Sequence, residues 1–358
     1  CNRQYYDDSV NIRLLERLAA EKGKYQKPEI AEKTGKSVAI IGSGPSGLSS
    51  AYHLAKMGHK VTIFEKSDKP GGVLANGIPH YRLPKKIIED EISRIKNMGV
   101  TIQTHCEIGK TLSFDKLYNS FSAIYLAIGF SKPYTLSIPG NNLQNIFSGQ
   151  QFLENVKRPN FSGIEKQVVV IGGGNAAVDT ARTARRLGAE VTMIFPEKNM
   201  VSISSESIEA QEEGINLIPS AICTEFIGTN DKVSKCKCIL VSCQKQSDGS
   251  LDIQPVHGTE FFVSTDCVFI AIGQQGDMSF LPQTIKVEKK VITTDQYYHT
   301  SLEKVFAGGD IAKNNGTVTH AIGDGRKAAR SIHNFLLHLE EPEKEVKEVV
   351  SYDKLRPL

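Results

Sequence analysis

A glycine pattern occurs twice in this chain, 130 positions apart, and each copy stands where an apolar run hands over to a helical one. In the first copy, Ser37–Ile41 is followed by Gly42-Ser43-Gly44-Pro45-Ser46-Gly47, a helical stretch to about Met57 and a second apolar run, Val61–Phe64. In the second, Gln167–Ile171 leads into Gly172-Gly173-Gly174-Asn175-Ala176-Ala177, a helical stretch to about Leu187 and Val191–Phe195. Each copy is followed later by an apolar run ending in the same tripeptide, Ala127-Ile128-Gly129 and Ala271-Ile272-Gly273. Short buried strands alternating with helices specify βαβ units and parallel sheets. One dinucleotide-binding plan is used twice. The expected fold class is α/β, with two nested Rossmann-like dinucleotide-binding domains and a short helical segment at the N-terminus.

The spacing carries chemistry. In Gly42-x-Gly44-x-x-Gly47 the first glycine permits the tight strand-to-helix turn, the second lets backbone approach a pyrophosphate, and the third lets helix and strand pack closely. The helix that follows directs its partial positive charge at the phosphates. Glu65 closes the next strand, 23 residues after Gly42, where a carboxylate can accept hydrogen bonds from a ribose diol. The second copy has alanine, Ala177, in the third position, which the pattern tolerates. Its ribose-reading strand ends in Phe195-Pro196-Glu197-Lys198, so Glu197 can hold a 2′-hydroxyl or Lys198 a 2′-phosphate. Gly308-Gly309-Asp310 follows a third apolar run, Val305–Ala307, and precedes Gly316-Thr317 at the start of the last helix, about Val318–Leu339. Asp310 there can bond a ribityl hydroxyl, and the helix start can face a flavin ring that gains negative charge on reduction.

The rest of the sequence narrows the class. A net charge of +3 over 358 residues argues for neither nucleic acid nor an anionic membrane. No apolar run approaches the roughly 20 residues needed to span a bilayer. Seven cysteines (1, 106, 223, 236, 238, 243 and 267) contain no Cys-x-x-Cys, which suits reduced thiols in a cytoplasmic protein rather than a dithiol reductase. Cys236-Lys237-Cys238 puts two thiols on one face of a strand, and a core role is the expectation. His80 and His320 fall near the presumed cofactor loops and are read as local hydrogen-bonding residues. Ile12, Leu15, Leu18 and Ala19 have helical spacing within residues 9–22, and residues 23–36 form a polar linker. Strands are expected at Lys235–Val241 and Gly258–Val263, with a hairpin turn at Asp248-Gly249. A chain that opens on Cys1 and closes on Arg356-Pro357-Leu358 reads as an excerpt of a longer polypeptide.

At these motifs the sequence resembles the glutamate synthase small-subunit family of flavoproteins. That group also includes the N-terminal flavin half of dihydropyrimidine dehydrogenase and the larger subunit of the bifurcating NADH-dependent ferredoxin–NADP oxidoreductase. The specific part is Gly71-Gly72-Val73-Leu74 running into Gly77-Ile78-Pro79 and Arg82-Leu83-Pro84. It is joined by Ile138-Pro139-Gly140, Asp179 after the second glycine turn, and Phe306-Ala307-Gly308-Gly309-Asp310. The resemblance implies FAD, NADPH or NADH, hydride transfer to the flavin, and onward passage of electrons through iron–sulfur clusters to a partner subunit or domain. It implies that Cys1, before Asn2-Arg3, is the last metal ligand of an N-terminal cluster domain whose other cysteines lie outside this chain, so clusters belong only to the full-length protein.

The expected division is 1–35 for the end of that domain and the linker, 36–160 with 280–340 for FAD, 161–279 for the nicotinamide nucleotide, and 341–358 for a C-terminal extension. Candidate FAD residues are Gly42, Gly44, Pro45, Ser46, Gly47, Glu65, Lys66, Gly72, Val73, Arg82, Ala127, Gly129, Gly309, Asp310 and Thr317. Candidate nicotinamide-nucleotide residues are Gly172, Gly174, Asn175, Ala176, Ala177, Glu197, Ile272 and Gly273. No side chain is nominated as catalytic, since hydride transfer itself needs neither acid nor base. One departure matters: the two arginines with which the family clasps an NADPH 2′-phosphate are replaced by Pro196 and Glu197, which opens the choice to NADH. Two other readings stay open, a flavin-holding scaffold with a decayed nicotinamide site and a stand-alone NAD(P)H oxidase or quinone reductase.

Overall fold

The computed structural model describes residues 9–341, apart from 201, 203, 247–250 and 314–315. A solvent-exposed helix, α1 (Ile12–Lys22), begins at Asn11, whose side chain accepts from the Leu14 N–H. Its spacing is helical as expected, yet Ile12, Leu15 and Leu18 remain 54%, 54% and 51% exposed, so no core forms beneath it among the described residues. The first unit then runs β1 (Ser37–Ile41), α2 (Pro45–Lys56), β2 (Lys60–Phe64), the single turn α3 (Val73–Asn76), α4 (Lys85–Lys96), β3 (Thr101–Gln103), α5 (Phe114–Ser120) and β4 (Ala123–Leu126). β1 after Ser37 and all of β4 are buried, as strands at the centre of a covered parallel sheet must be.

Beyond β5 (Lys132–Pro133) the chain enters a second unit: β6 (Ile146–Ser148), α6 (Gly149–Val156), β7 (Gln167–Ile171), α7 (Asn175–Arg186), β8 (Glu190–Ile194), α8 (Ser204–Glu212) and β9 (Asn216–Ile218). An antiparallel insertion follows, β10 (Ala221–Thr229), β11 (Lys232–Lys245), β12 (Leu251–Pro255) and β13 (Phe261–Ser264), before β14 (Cys267–Ile270) returns to the parallel sheet. That sheet has the order β6-β14-β7-β8-β9. β6 and α6 thus belong to the second unit: Ile146 pairs with Val268, and Phe152 stacks 4.2 Å from Phe269. The expected division at 160/161 is corrected to a point before Ile146, because a three-residue edge strand has no periodicity to announce it.

The chain crosses back through β15 (Gln274–Gln275), which pairs antiparallel with β5, and a small hairpin, β16 (Val287–Glu288) and β17 (Val291–Ile292). β18 (Val305–Ala307) then joins the edge of the first sheet, giving the order β18-β4-β1-β2-β3. After α9 (Asp310–Lys313), α10 (Val318–Leu337) packs along α2 so closely that a Cβ on Gly325 would lie 2.2 Å from the Ser46 carbonyl oxygen. In the insertion, Lys235–Val241 lies inside the longer β11, and the strand expected over 258–263 is confined to β13. The expected turn Asp248-Gly249 lies outside the described residues. The hairpin of β10 and β11 turns at Asn230-Asp231, both at positive φ (53° and 60°), the conformation a two-residue type I′ turn requires. Among the described residues no helix is long and apolar enough to cross a membrane.

The linker is tied down through imidazoles. His59 Nδ1 lies 2.8 Å from Thr34 Oγ1 and its Nε2 lies 2.9 Å from His333 Nδ1 on α10. Burial first, and His333 second, lower the His59 pKa to about 4 from 6.5. A depressed histidine pKa means the unfolded chain takes up the proton first, so this stabilisation is complete above pH 6.5 and is lost as pH falls toward about 4. His59→Gln is expected to flatten that acid limb in a plot of Tm against pH while changing Tm little at pH 8; an unchanged limb would remove His59 from the account.

Candidate functional site

Both glycine turns stand at the C-terminal ends of their strands, where open α/β sheets place ligands. Gly42 adopts φ 100°, and a Cβ there would meet the Ala127 carbonyl oxygen at 2.4 Å; one on Gly47 would meet the Gly42 oxygen at 2.0 Å. The turn, the helix and β4 leave no room for side chains. The second turn repeats the first contact, with Gly172 at φ 132° and 2.4 Å from the Ala271 oxygen, but accommodates the fully buried methyl of Ala177. α2 and α7 are capped by Gly44 and Gly174 with no side-chain hydrogen bond at either cap. The first-turn N–H groups of both helices are therefore directed at whatever occupies the space before them.

That space is one continuous cavity of about 1520 Å³ reaching from the first turn to the second. Every described residue nominated from sequence lines it except Gly47 and Ala177, the two third positions, which act by packing alone. Cys1 lies outside the described residues. His320 is tied to Thr317, the N-cap of α10, in line with its local reading, and His80 lies outside the lining. Among the described residues no group of three His, Cys, Asp or Glu could hold a metal ion, and the described cysteines are free thiols.

The carboxylates differ in what they already hold. Glu65 is buried, with Oε2 accepting from the Ser43 N–H at 3.0 Å and the Ser43 hydroxyl at 2.5 Å, and Oε1 accepting from the Ser67 N–H at 2.8 Å. Ser43 was invisible as a functional residue in sequence, yet it locks the ribose-reading carboxylate to the glycine turn. Oε1 keeps a further acceptor site. Asp310 accepts from the Gly316 N–H at 3.1 Å, and burial, more than that bond offsets, raises its pKa. Lys66 donates to Ser131 at 2.8 Å. Glu197 lines the cavity at the end of β8, and its Oε2 is buried without a hydrogen-bond partner. Ser46 shares a 2.7 Å hydrogen bond with the fully buried Tyr125 hydroxyl, a partner no local pattern indicated.

Arg82 has partners that the sequence did not indicate. Nominated for FAD, it lines the cavity, but its guanidinium donates to both oxygens of Asp179 at 2.7 Å and bonds Glu206. Burial raises the Asp179 carboxyl, with Arg82 opposing, while the acids hold the guanidinium charged. Nη1 bridges the two oxygens of Asp179, and Nη2 is given to Glu206. Beside it the Tyr81 ring lies 3.8 Å from Arg186 and 5.2 Å from Arg182, and Lys157 donates to the Ala75 and Ile78 carbonyls at 2.8 and 2.7 Å. The stretch Gly71–Pro84 of the first unit is thereby clasped to α6, α7 and α8 of the second. Removing one partner of a buried pair costs about 3 kcal/mol because the other is left uncompensated. Arg82→Ala is expected to lower the free energy of unfolding by about that amount in urea; a double-mutant cycle with Asp179→Asn showing no coupling would mean the contact contributes nothing.

The chain matches the model of the pyridine nucleotide-disulphide oxidoreductase family over residues 36–325. It is 39% identical over 315 residues to the NADP(+)-dependent formate dehydrogenase subunit beta of Moorella thermoacetica, covering 86% of this chain and 45% of that one. Identity to the NADPH-Fe(3+) oxidoreductase subunit beta of Geobacter sulfurreducens is 33%, covering 94% and 56%. To the glutamate synthase (NADPH) small chain of Bacillus subtilis it is 31%, covering 94% and 76%. The chain thus spans about half the length of the first two relatives. Among solved structures, FprA of Mycobacterium tuberculosis superposes with a TM-score of 0.71 at 16% identity, over 85% of each chain. The thioredoxin reductase of T. acidophilum superposes with a TM-score of 0.65 at 22% identity, over 84% of this chain and 98% of that one; both likenesses bear on the fold alone. With both dinucleotide turns in place and the match spanning them, the chain belongs to the pyridine nucleotide-disulphide oxidoreductase family, in the company of the glutamate synthase small chains.

Proposed function

We propose that this chain takes hydride from a nicotinamide nucleotide, NADH in preference to NADPH, onto FAD and passes the electrons on to iron–sulfur clusters and a partner subunit. The observation that carries the reading is the single cavity with an uncapped helix start at each end. Its residues fit the two groups: a Cβ at Gly44 or at Gly174 would meet open space, which leaves room for a pyrophosphate at each turn, and Glu65 and Asp310 line the cavity as acceptors for hydroxyl groups beside the first. FAD bound there supplies a centre that accepts two electrons together and releases them one at a time. Gly129 and Gly273, at φ 55° and 107°, end the β4 and β14 segments and let the cavity run between the two sites without side chains. The clasp of Arg82 on Asp179 and Glu206 holds the two halves of that cavity in register. No protein group moves a proton in this account.

The nucleotide preference rests on Glu197. A carboxylate lining the cavity at the end of β8 suits a ribose 2′-hydroxyl, which donates, and repels a 2′-phosphate. Support for a partner subunit comes from the relatives, which are named as subunits or chains. With FAD reconstituted under anaerobic conditions, NADH is expected to bleach the flavin at concentrations at least about tenfold below NADPH, a difference of about 1.4 kcal/mol. Glu197→Arg is expected to reverse the order. Bleaching by neither nucleotide would defeat the reductase reading and leave that of a flavin-holding scaffold.

A further inference from the structure

Three buried thiols of the second unit have no part in this account. Cys223 on β10 and Cys236 and Cys238 on β11 are 5%, 0% and 0% exposed, and they share one core with Phe226, Val233 and the apolar strands of the parallel sheet. The pairing of β10 with β11 sets Cys223 directly opposite Cys238, and a bulge at Thr224 puts Phe226, not a fourth residue of the run, opposite Cys236. The backbone orientation of that Cys pair follows from its neighbours. Leu240 turns its N–H to Thr259 Oγ1 and its carbonyl to the Val256 N–H, away from β10, whereas the Val241 N–H bonds the Ser220 carbonyl across the strands. Pairs alternate along an antiparallel ladder, so Cys238, two residues from Leu240, also faces β10 as a non-hydrogen-bonded pair. Such pairs bring Cα atoms to about 4.5 Å, with the side chains closer still. That separation lies within the range a disulfide spans.

Access distinguishes the three. Cys223, with Ala221 and Ile222, forms part of the cofactor cavity wall, whereas Cys236 and Cys238 lie behind it. Cys223 keeps 5% of its surface exposed. The Cys223 thiol donates to the Glu225 carbonyl at 3.5 Å and the Cys238 thiol to that of Cys236 at 3.8 Å, and the two neighbouring thiols favour the Cys223 thiolate.

We propose that Cys223, Cys236 and Cys238 form an oxidation site for small hydroperoxides, at which Cys223 is attacked first and Cys238 closes a cross-strand disulfide. The Cys223 sulfur attacks the peroxide, the O–O bond breaks, and one oxygen stays on sulfur as a sulfenic acid while the other leaves as water or alcohol with the thiol proton. The Cys238 sulfur then displaces the sulfenic oxygen, which takes the Cys238 proton and departs as a second water. Two thiols lose two electrons in all, and one peroxide accepts them. Cys238 outcompetes Cys236 for the second step because it is directly opposed, whereas Cys236 is diagonal to Cys223 and faces Phe226.

The test treats reduced full-length chain with one equivalent of hydrogen peroxide, followed by peptide mapping under non-reducing conditions. The expected product is the Cys223–Cys238 disulfide, reversed by dithiothreitol, formed ahead of any change at the more exposed Cys106 and Cys243. Cys238→Ser is expected to halt at a sulfenic acid on Cys223 that dimedone traps, and Cys223→Ser to slow thiol loss at least about tenfold. Oxidation that begins at Cys106 or Cys243 with Cys223 still a thiol overturns the proposal, and this wild-type mapping needs no variant to fold. Because it is read without FAD or nicotinamide, its failure is independent of the reductase reading.

Discussion

The tightest constraint in the molecule is the stacking of backbone on backbone where β1 turns into α2. The carbonyl oxygen of Ala127 and that of Gly42 occupy the places where side chains at 42 and 47 would stand. This contact draws the start of α2 down onto the ends of β1 and β4, so its uncapped N–H groups open at the sheet edge rather than above it. A second approach follows from it: Gly325 of α10 packs on the Ser46 carbonyl, and Asp324 of the same turn accepts from the Tyr298 hydroxyl and the Gly309 N–H. The return segment, although some 180 residues later than β4, is thereby locked to the same anion-facing turn.

The second unit repeats the plan with a methyl's worth of slack at Ala177, and the two are joined by charge as well as by chain. A guanidinium held by two nearly buried carboxylates is a costly arrangement if any member is missing and a specific one when all are present. Direction matters here. Arg82 comes from the glycine-rich stretch that lines the first turn, and Asp179 sits one helical turn beyond the second, so the clasp reports on both nucleotide sites at once.

Much of this was legible in the amino-acid order. Glycine spacing, the apolar runs and the repeated Ala-Ile-Gly could be read because each depends on neighbours within a few residues, where sterics and periodicity act. β6 could not, since three residues at a sheet edge carry no period, and the 160/161 division failed on that account. Arg82 was placed in the cavity, but its protein partners were not legible, because Asp179 and Glu206 lie 97 and 124 positions away. Ser43 and Tyr125 were missed for the same reason, and the facing of Cys223 on Cys238 comes from a strand pairing with two offsetting bulges that no local pattern announces.

The order of residues alone determined that two strand–turn–helix units form, that both turns are built of glycine, and that the second unit's next strand ends in a carboxylate rather than an arginine pair. These are consequences of local backbone freedom and of burial on both faces of a strand. The tertiary structure decided that the two turns open into one cavity, that Arg82 binds acids of the opposite unit, and that three thiols meet behind the cavity wall. Each of those is a contact between distant segments, set by how sheets and helices pack, and packing is a property of the folded whole.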